Sequence, residues 1–390
     1  MTSVSSKPCF ALVSRTFWPV NPAIGEALLL TAEQLVEQGG ALVIAQASPE
    51  LPGLLARGER GKGAKFSLMR SMTDSASTMP LRVCELLLFA CFVFFSLCHH
   101  RPRVVYVATN PPLLVPMVVR WYCWLFRRKY TYHLQDIHPE ATTVVTGKTS
   151  WGTRLLQRID CKTIINANLI ITLTQQMQKY LTQRVGKSKL PPVVLLDNPS
   201  VQGLNIPTER QAGLVYCGNA GRLQRISLLL KAIDVYLQRG GNLPFFFAGG
   251  GVFAPDIQKL ACRFNKVSYL GVLPAAQAAQ LMQSYAYGLM PIDDEVTQYA
   301  FPSKSSSYVF SGCQVIAICG AKTAVAQWVH ENNLGYIVEP DLESIVNCFF
   351  ALERQPVTAL RVNDDLLQRL TPQSHANTLV KLLTELEDKK

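Results

Sequence analysis

Short apolar runs recur along the chain, most of them followed by a turn rich in glycine, proline or small polar residues and then by a segment of helical spacing. Cys9–Ser14, Ala41–Ala45, Val104–Ala108, Leu169–Leu173 and Val193–Leu196 mark the first half; Gly213–Cys217, Leu243–Ala248, Val267–Leu270, Gly288–Ile292, Val315–Ile318 and Gly335–Val338 mark the second. Runs this short without alternation read as strands buried on both faces, which belong to parallel sheets. Parallel neighbours need a crossover, and here helical segments supply it. The first such unit runs from Cys9–Ser14 through a loop to Gly25, a helix over Glu26–Gln38, a stop at Gly39-Gly40, and the strand Ala41–Ala45. Repeated βαβ units of this kind confine the chain to an open α/β architecture.

At 390 residues the chain is long enough for two such domains. The polar stretch Asp197–Gly213 separates them, predicting domains over 1–200 and 201–372, with a terminal helix over 373–390 packing back towards the first. Residues 50–80, with four glycines and the basic run Arg57–Lys65, read as a long mobile connection. Beyond the loose duplication of the two halves no internal repeat is visible.

A net charge of +11 favours anionic partners. Nucleic acid is not among those expected, because zinc-finger spacing, RNA-binding signatures and basic heptad helices are all missing from the sequence. Eleven cysteines without a C-x-x-C pair read as buried free thiols in a reducing cytoplasm. Met1–Cys9 lacks an apolar signal core, so secretion is not expected. Two stretches lean towards a membrane. Leu86–Cys98 carries no charge over thirteen residues, and is either buried in the first domain or dips one face into lipid. Leu113–Phe126 carries Trp121, Tyr122 and Trp124 and ends in Arg127-Arg128-Lys129, a composition suited to an anionic lipid surface or to a core helix with a solvated basic end.

Four turns carry groups able to do chemistry. In the stretch 301–318, Pro302 ends what precedes it, Ser303 is a suitable N-cap, Lys304 stands in the first turn, and Gly312 can end a short helix. A cation and a helix N-terminus aimed at one point suit a diphosphate, although an ordinary loop–helix–strand unit reads the same way. Gly218-Asn219-Ala220-Gly221-Arg222-Leu223-Gln224-Arg225 places glycines and arginines between a strand and a helix, a phosphate-cradling order or a plain turn with solvated arginines. Gly249-Gly250-Gly251 would let a ligand touch backbone. After Tyr130–Leu134 come Asp136, His138 and Glu140, where a general base or hydroxyl ligand is expected, or a capping aspartate beside a solvated histidine. Asp293-Asp294-Glu295 reads as a solvated acidic loop, so no metal site is expected.

In this order, the turn ending Ile24-Gly25, the loop Gln135–Glu140, the turn Gly218–Gln224 and the helix start Pro302-Ser303-Lys304 with Gly312 resemble the retaining glycosyltransferases of family 4. The branch most similar transfers aminodeoxyhexoses such as N-acetylfucosamine in bacterial capsule and O-antigen assembly. The resemblance spans nearly the whole chain. It implies the GT-B fold, two Rossmann-like α/β/α domains facing a central cleft. It implies transfer of a sugar from a nucleotide-sugar, UDP-linked, to a lipid-linked saccharide at the inner face of the cell membrane, without metal or cofactor. Arg222 and Lys304 would hold the donor diphosphate; Gly25, Gly218, Asn219, Gly221, Gln224 and Ser303 would lie near the phosphates; Gly249, Gly250 and Val272 would meet the nucleoside through backbone. Asp136 would position or deprotonate the acceptor, with His138 and Glu140 on the same side. The sequence departs from the family at Ser307, where many members place a hydroxyl-binding glutamate, at Tyr299, where its partner acid stands, and at Ser227, where a lysine is usual. A non-catalytic nucleotide-binding subunit and a nucleotide-sugar epimerase are the other functions such a chain could carry.

Overall fold

A computed structural model of the chain describes residues 7–73, 77–141, 144, 151–201, 209–358 and 360–389. The chain divides into two compact units, one of Met1–Thr143, Lys148–Pro199 and Thr371–Lys390, the other of Val144–Gly147 and Ser200–Leu370. Part of the expected boundary stretch, residues 202–208, lies outside the described residues.

The first unit holds a seven-stranded sheet of β1 (Phe10–Val13), β2 (Ala41–Ala47), β3 (Lys65–Arg70), β4 (Val104–Ala108), β5 (Lys129–Leu134), β6 (Leu169–Thr172) and β7 (Val193–Leu195), in the order β3-β2-β1-β4-β5-β6-β7. Every pair is parallel. The second holds β8 (Gln211–Cys217), β9 (Phe245–Ala248), β10 (Val267–Tyr269), β11 (Tyr285–Pro291), β12 (Gln314–Ile318) and β13 (Gly335–Val338), in the order β10-β9-β8-β11-β12-β13 and again all parallel. The strand order of each sheet reverses once, beside β1 and beside β8, and open sheets gather ligand loops at such switch points. Central strands such as β1, β4 and β12 are buried throughout, as their unbroken apolar runs predict. Thr174 caps the helix Gln175–Val185, its Oγ1 accepting from Met177 N at 3.1 Å.

The connection expected over 50–80 is instead partly regular. Helix Leu51–Ala56 and strand β3 lie within it, and β3 pairs β2 from Leu42↔Lys65 to Ala47↔Arg70. An edge strand keeps polar side chains in water, so Lys65, Ser67 and Arg70 concealed it. The uncharged run Leu86–Cys98 is the middle of a longer helix, Met79–His100, which by length and composition could cross a membrane. One face, with Phe89, Val93 and Leu97, is buried; Leu81, Cys84, Leu88, Cys91 and Phe95 form an exposed stripe three and four residues apart. Glu85, on the buried side, accepts from the Arg15 guanidinium at 2.7 Å and from Met72 N, Thr73 N and Thr73 Oγ1. The thiols are not all buried: Cys84, Cys91 and Cys262 are exposed. The closing helix Pro372–Asp388 lays Leu379, Leu383 and Leu386 into the core of the first unit.

Candidate functional site

The second unit gathers three turns at the C-terminal edge of its sheet. Gly218 N donates to Ala248 O at 2.9 Å, Ala220 N to Gly250 O at 2.7 Å and Gly249 N to Gly271 O at 2.7 Å, so the loops after β8, β9 and β10 are laced together. A Cβ on Gly249, at φ +130°, would stand 2.0 Å from the Gly218 carbonyl oxygen; only glycine fits this crossing. Gln224 braces the first loop by accepting from Gly221 N at 3.1 Å. Asn219 is exposed, and its carbonyl accepts from Tyr216 Oη at 2.7 Å.

Lys304 opens the helix Lys304–Phe310 and turns its ammonium towards these loops. Its Nζ is sealed from solvent, has no hydrogen-bond partner, and lies 3.7 Å from the centre of the Tyr216 ring. Burial pulls its pKa down to about 7. The ring face supplies a cation–π attraction that offsets part of that cost. Tyr308, one helical turn on, holds the helix in place: its hydroxyl accepts from Cys217 N at 3.1 Å and donates to Leu289 O at 3.1 Å. Ser303 does not cap this helix; its backbone is already helical and its side chain makes no cap bond, so Lys304 is fixed by Tyr308 and not by a cap. Gly312, at φ +74°, follows the C-cap Ser311.

Lys304, Gly218, Gly249, Val272 and Ser307 line one cavity of about 250 Å³. Gly250 lies beside it, a Cβ there coming 3.6 Å from Val272. Arg222 is exposed and bonds to no described residue. Its neighbour Arg225 is engaged, donating to Ile292 O at 3.0 Å and pairing with Asp294 at 3.1 Å. With Asp293 also 3.7 Å from its guanidinium, Arg225 accounts for two members of the acidic stretch. Among the described residues no group of three or more metal-ligating side chains gathers.

The sequence-predicted residues of the first unit form a second group, at the ends of β4 and β5. Thr109 Oγ1 accepts from Gln135 N at 3.2 Å and from Asp136 N at 3.4 Å, shaping the turn. Glu140 is a strut: its Oε1 accepts from Tyr180 Oη at 2.7 Å and Gln157 Nε2 at 2.8 Å and lies 3.3 Å from Arg184 Nε, while Arg184 Nη2 lies 3.0 Å from Asp160 Oδ2. Arg184 reaches the His138 carbonyl at 3.3 Å, holding the loop from behind. Burial lowers the His138 pKa, keeping the ring neutral. Asp136 retains solvent access, yet protein crowded around it pushes its pKa up to about 6. Glu140 is thus tied up as a brace, whereas Asp136, exposed and with its pKa raised, is available as a base near neutrality. Gly25 has a local cause: a Cβ would stand 2.5 Å from the Trp18 backbone nitrogen, so the helix start presses on its own loop.

The sequence matches no protein-family model and no curated protein. Solved structures match over nearly the full length. HepE of Anabaena, in complex with UDP, is 16% identical, with 97% of this chain and 96% of that one covered at a TM-score of 0.57. Sucrose-phosphate synthase of Thermosynechococcus elongatus is 14% identical, with 98% and 99% covered at 0.67. WaaG, a glycosyltransferase involved in lipopolysaccharide biosynthesis, is 13% identical, with 96% and 97% covered at 0.60.

The fold is GT-B. In this GT-B chain the Lys304 cavity belongs to the second unit and the Asp136 loop to the first. Two residues that support the cavity from behind its wall were missed by sequence reasoning. Tyr216 and Tyr308 look like core aromatics in sequence, and only the hydroxyl bonds and the lysine–ring contact reveal their work.

Proposed function

We propose that the protein is a retaining, metal-independent glycosyltransferase that moves a sugar from a nucleotide-sugar, UDP-linked, to a lipid-linked saccharide in surface polysaccharide synthesis. One observation carries this reading: a buried ammonium without a hydrogen-bond partner, Lys304, beside glycine-walled backbone in a cavity large enough for part of a nucleotide. A buried cation lacking a counter-charge is costly, and a diphosphate supplies the missing partner. Arg222, free at the first loop, would close on the same phosphates and stabilise the leaving group. With a fixed cation already at hand the chain would not need a divalent ion there. Asp136 would orient or deprotonate the acceptor hydroxyl. HepE and WaaG, of the same fold, support the class of reaction.

The same reading places the protein at the cytoplasmic face of the cell membrane. The exposed stripe of Met79–His100 and the exposed Trp121, Trp124 and Leu125, followed by Arg127 and Arg128, form an apolar surface with a basic border.

The decisive experiment is sugar transfer from a panel of nucleotide-sugars to lipid-linked acceptors, with and without EDTA, by the native chain and by Arg222→Ala, Lys304→Ala and Asp136→Asn. Loss of at least a hundredfold in the lysine variant with an intact fold is expected. Unchanged turnover in that variant refutes the clamp, and loss of activity in EDTA refutes metal independence. Nucleotide binding with no turnover on any donor would favour the non-catalytic alternative, for which Ser307 in place of a carboxylate speaks.

A further inference from the structure

The cavity beside Lys304 lacks a group that ribose-binding sites commonly supply. A ribose presents a 2′,3′-diol, two donors that a single carboxylate can accept together. Among the described residues lining this cavity there is neither aspartate nor glutamate. Its polar side chains are Lys304, the Ser307 hydroxyl and the Cys217 thiol, which burial pushes up to about 12 and so keeps protonated. Much of the remaining wall is apolar and small, with Val272, Ala275, Ala278, Ala279 and Met282. The loop carbonyls nearby already accept hydrogen bonds: Ala248 O from Gly218 N at 2.9 Å, Gly249 O from Tyr269 Oη at 3.0 Å, Gly250 O from Ala220 N at 2.7 Å.

A site rejects an analogue that lacks a hydroxyl only when it holds a buried partner left unpaired by the loss. Among the described side chains of this cavity, with Lys304 given to the phosphates, only the Ser307 hydroxyl and the weakly bonding Cys217 thiol could be left so. An apolar wall does not reject an added methyl on a base, because it replaces water with contact. We propose that the nucleoside end of this site does not select ribose: it takes 2′-deoxynucleoside diphosphates, thymidine diphosphate included, as readily as UDP. The donor class is thereby widened to sugars carried on thymidine diphosphate. The proposal rests on the diphosphate role of Lys304.

The test is calorimetric titration of the full chain with UDP, 2′-deoxy-UDP and thymidine diphosphate under one condition. Dissociation constants within about fivefold of one another are expected. Preference for UDP over 2′-deoxy-UDP by more than that overturns the proposal while leaving the diphosphate role standing. A Ser307→Glu variant, restoring a carboxylate, is expected to shift the ratio towards UDP by about tenfold or more. A folded variant whose ratio stays at the native value overturns the proposal, since position 307 would then not face the sugar. If none of the three nucleotides binds, the diphosphate role itself fails and the proposal falls with it.

Discussion

Binding of a diphosphate to Lys304 should take up a proton. In the free protein burial holds the ammonium near a pKa of about 7. Contact with an anion restores the charged form to the ordinary lysine range. At pH 8 the free site is then about one-tenth protonated and the complex nearly fully so, giving uptake of about 0.9 proton. Only the charged form binds well, so affinity scales as the protonated fraction. Between pH 7 and pH 9 that fraction falls about fiftyfold, equivalent to about 2.3 kcal/mol. The Tyr216 ring face, 3.7 Å away, favours the charged form and moves this window upward without changing its sign. Calorimetry of UDP binding at pH 8 in two buffers of different ionisation enthalpy measures the uptake directly, above the range where the nucleotide's own phosphate titrates. Lys304→Met should bind more weakly and lose the pH dependence. Zero uptake at pH 8 together with flat affinity from pH 7 to 9 would refute the picture of a partnerless buried ammonium waiting for an anion.

Three further outcomes follow from the geometry. Gly249→Ala drives a Cβ onto the Gly218 carbonyl and should cost about 2–4 kcal/mol, or ~5–15 °C in Tm, whereas Gly250→Ala, whose Cβ meets only Val272 at 3.6 Å, should stay within about 0.5 kcal/mol in urea denaturation. His375 is buried, its Nδ1 on the Asp197 carbonyl and its ring stacked on His133 at 5.9 Å, and burial lowers its pKa to about 4; the unfolded chain binds the proton more readily, so its contribution is full above pH ~6.5 and lost towards pH 4, about 3 kcal/mol in all. The stability difference between native chain and His375→Gln should shrink by that amount on acidification; the difference is the readout because Asp136 and Asp160, with raised pKa values, act with the opposite sign. Finally, the chain should co-sediment with anionic vesicles at low salt, and Phe95→Asp with Trp124→Asp, at positions 69% and 79% exposed, should weaken this at least tenfold; native protein that ignores such vesicles sinks the membrane placement.

The architecture could be read from sequence because strands buried on both faces write themselves as unbroken apolar runs. Where burial was one-sided the sequence misled: β3, at a sheet edge, begins and ends in exposed basic residues and carries a serine between its apolar ones, and the helix Met79–His100 begins and ends in residues that look like loop. In the candidate site, Lys304 and the glycine turns stood out by residue type, since few residues other than glycine tolerate φ +130° and a lysine in a helix's first turn is uncommon company for glycine loops. That the ammonium lacks a partner, and that Tyr216 and Tyr308 hold it there, depends on contacts between residues up to 91 positions apart, as in the bond from Cys217 N to Tyr308 Oη. No local pattern encodes such distances. Glu140 shows the converse. Its residue type suggested chemistry, but Arg184, Tyr180 and Gln157 arrive from later helices and turn it into a brace.

The closing helix Pro372–Asp388 completes the first unit's core only after the whole of Ser200–Leu370 has been made. During synthesis nearly all of the second unit is one continuous stretch, Ser200–Leu370, that can fold as it emerges, while the first must wait, its Leu28 and Leu35 surface uncovered, until the closing helix is released. The order of folding is therefore the reverse of the order of translation. A premature stop near residue 370 would release a chain with one finished unit and one exposed core, a substrate for chaperones and proteases.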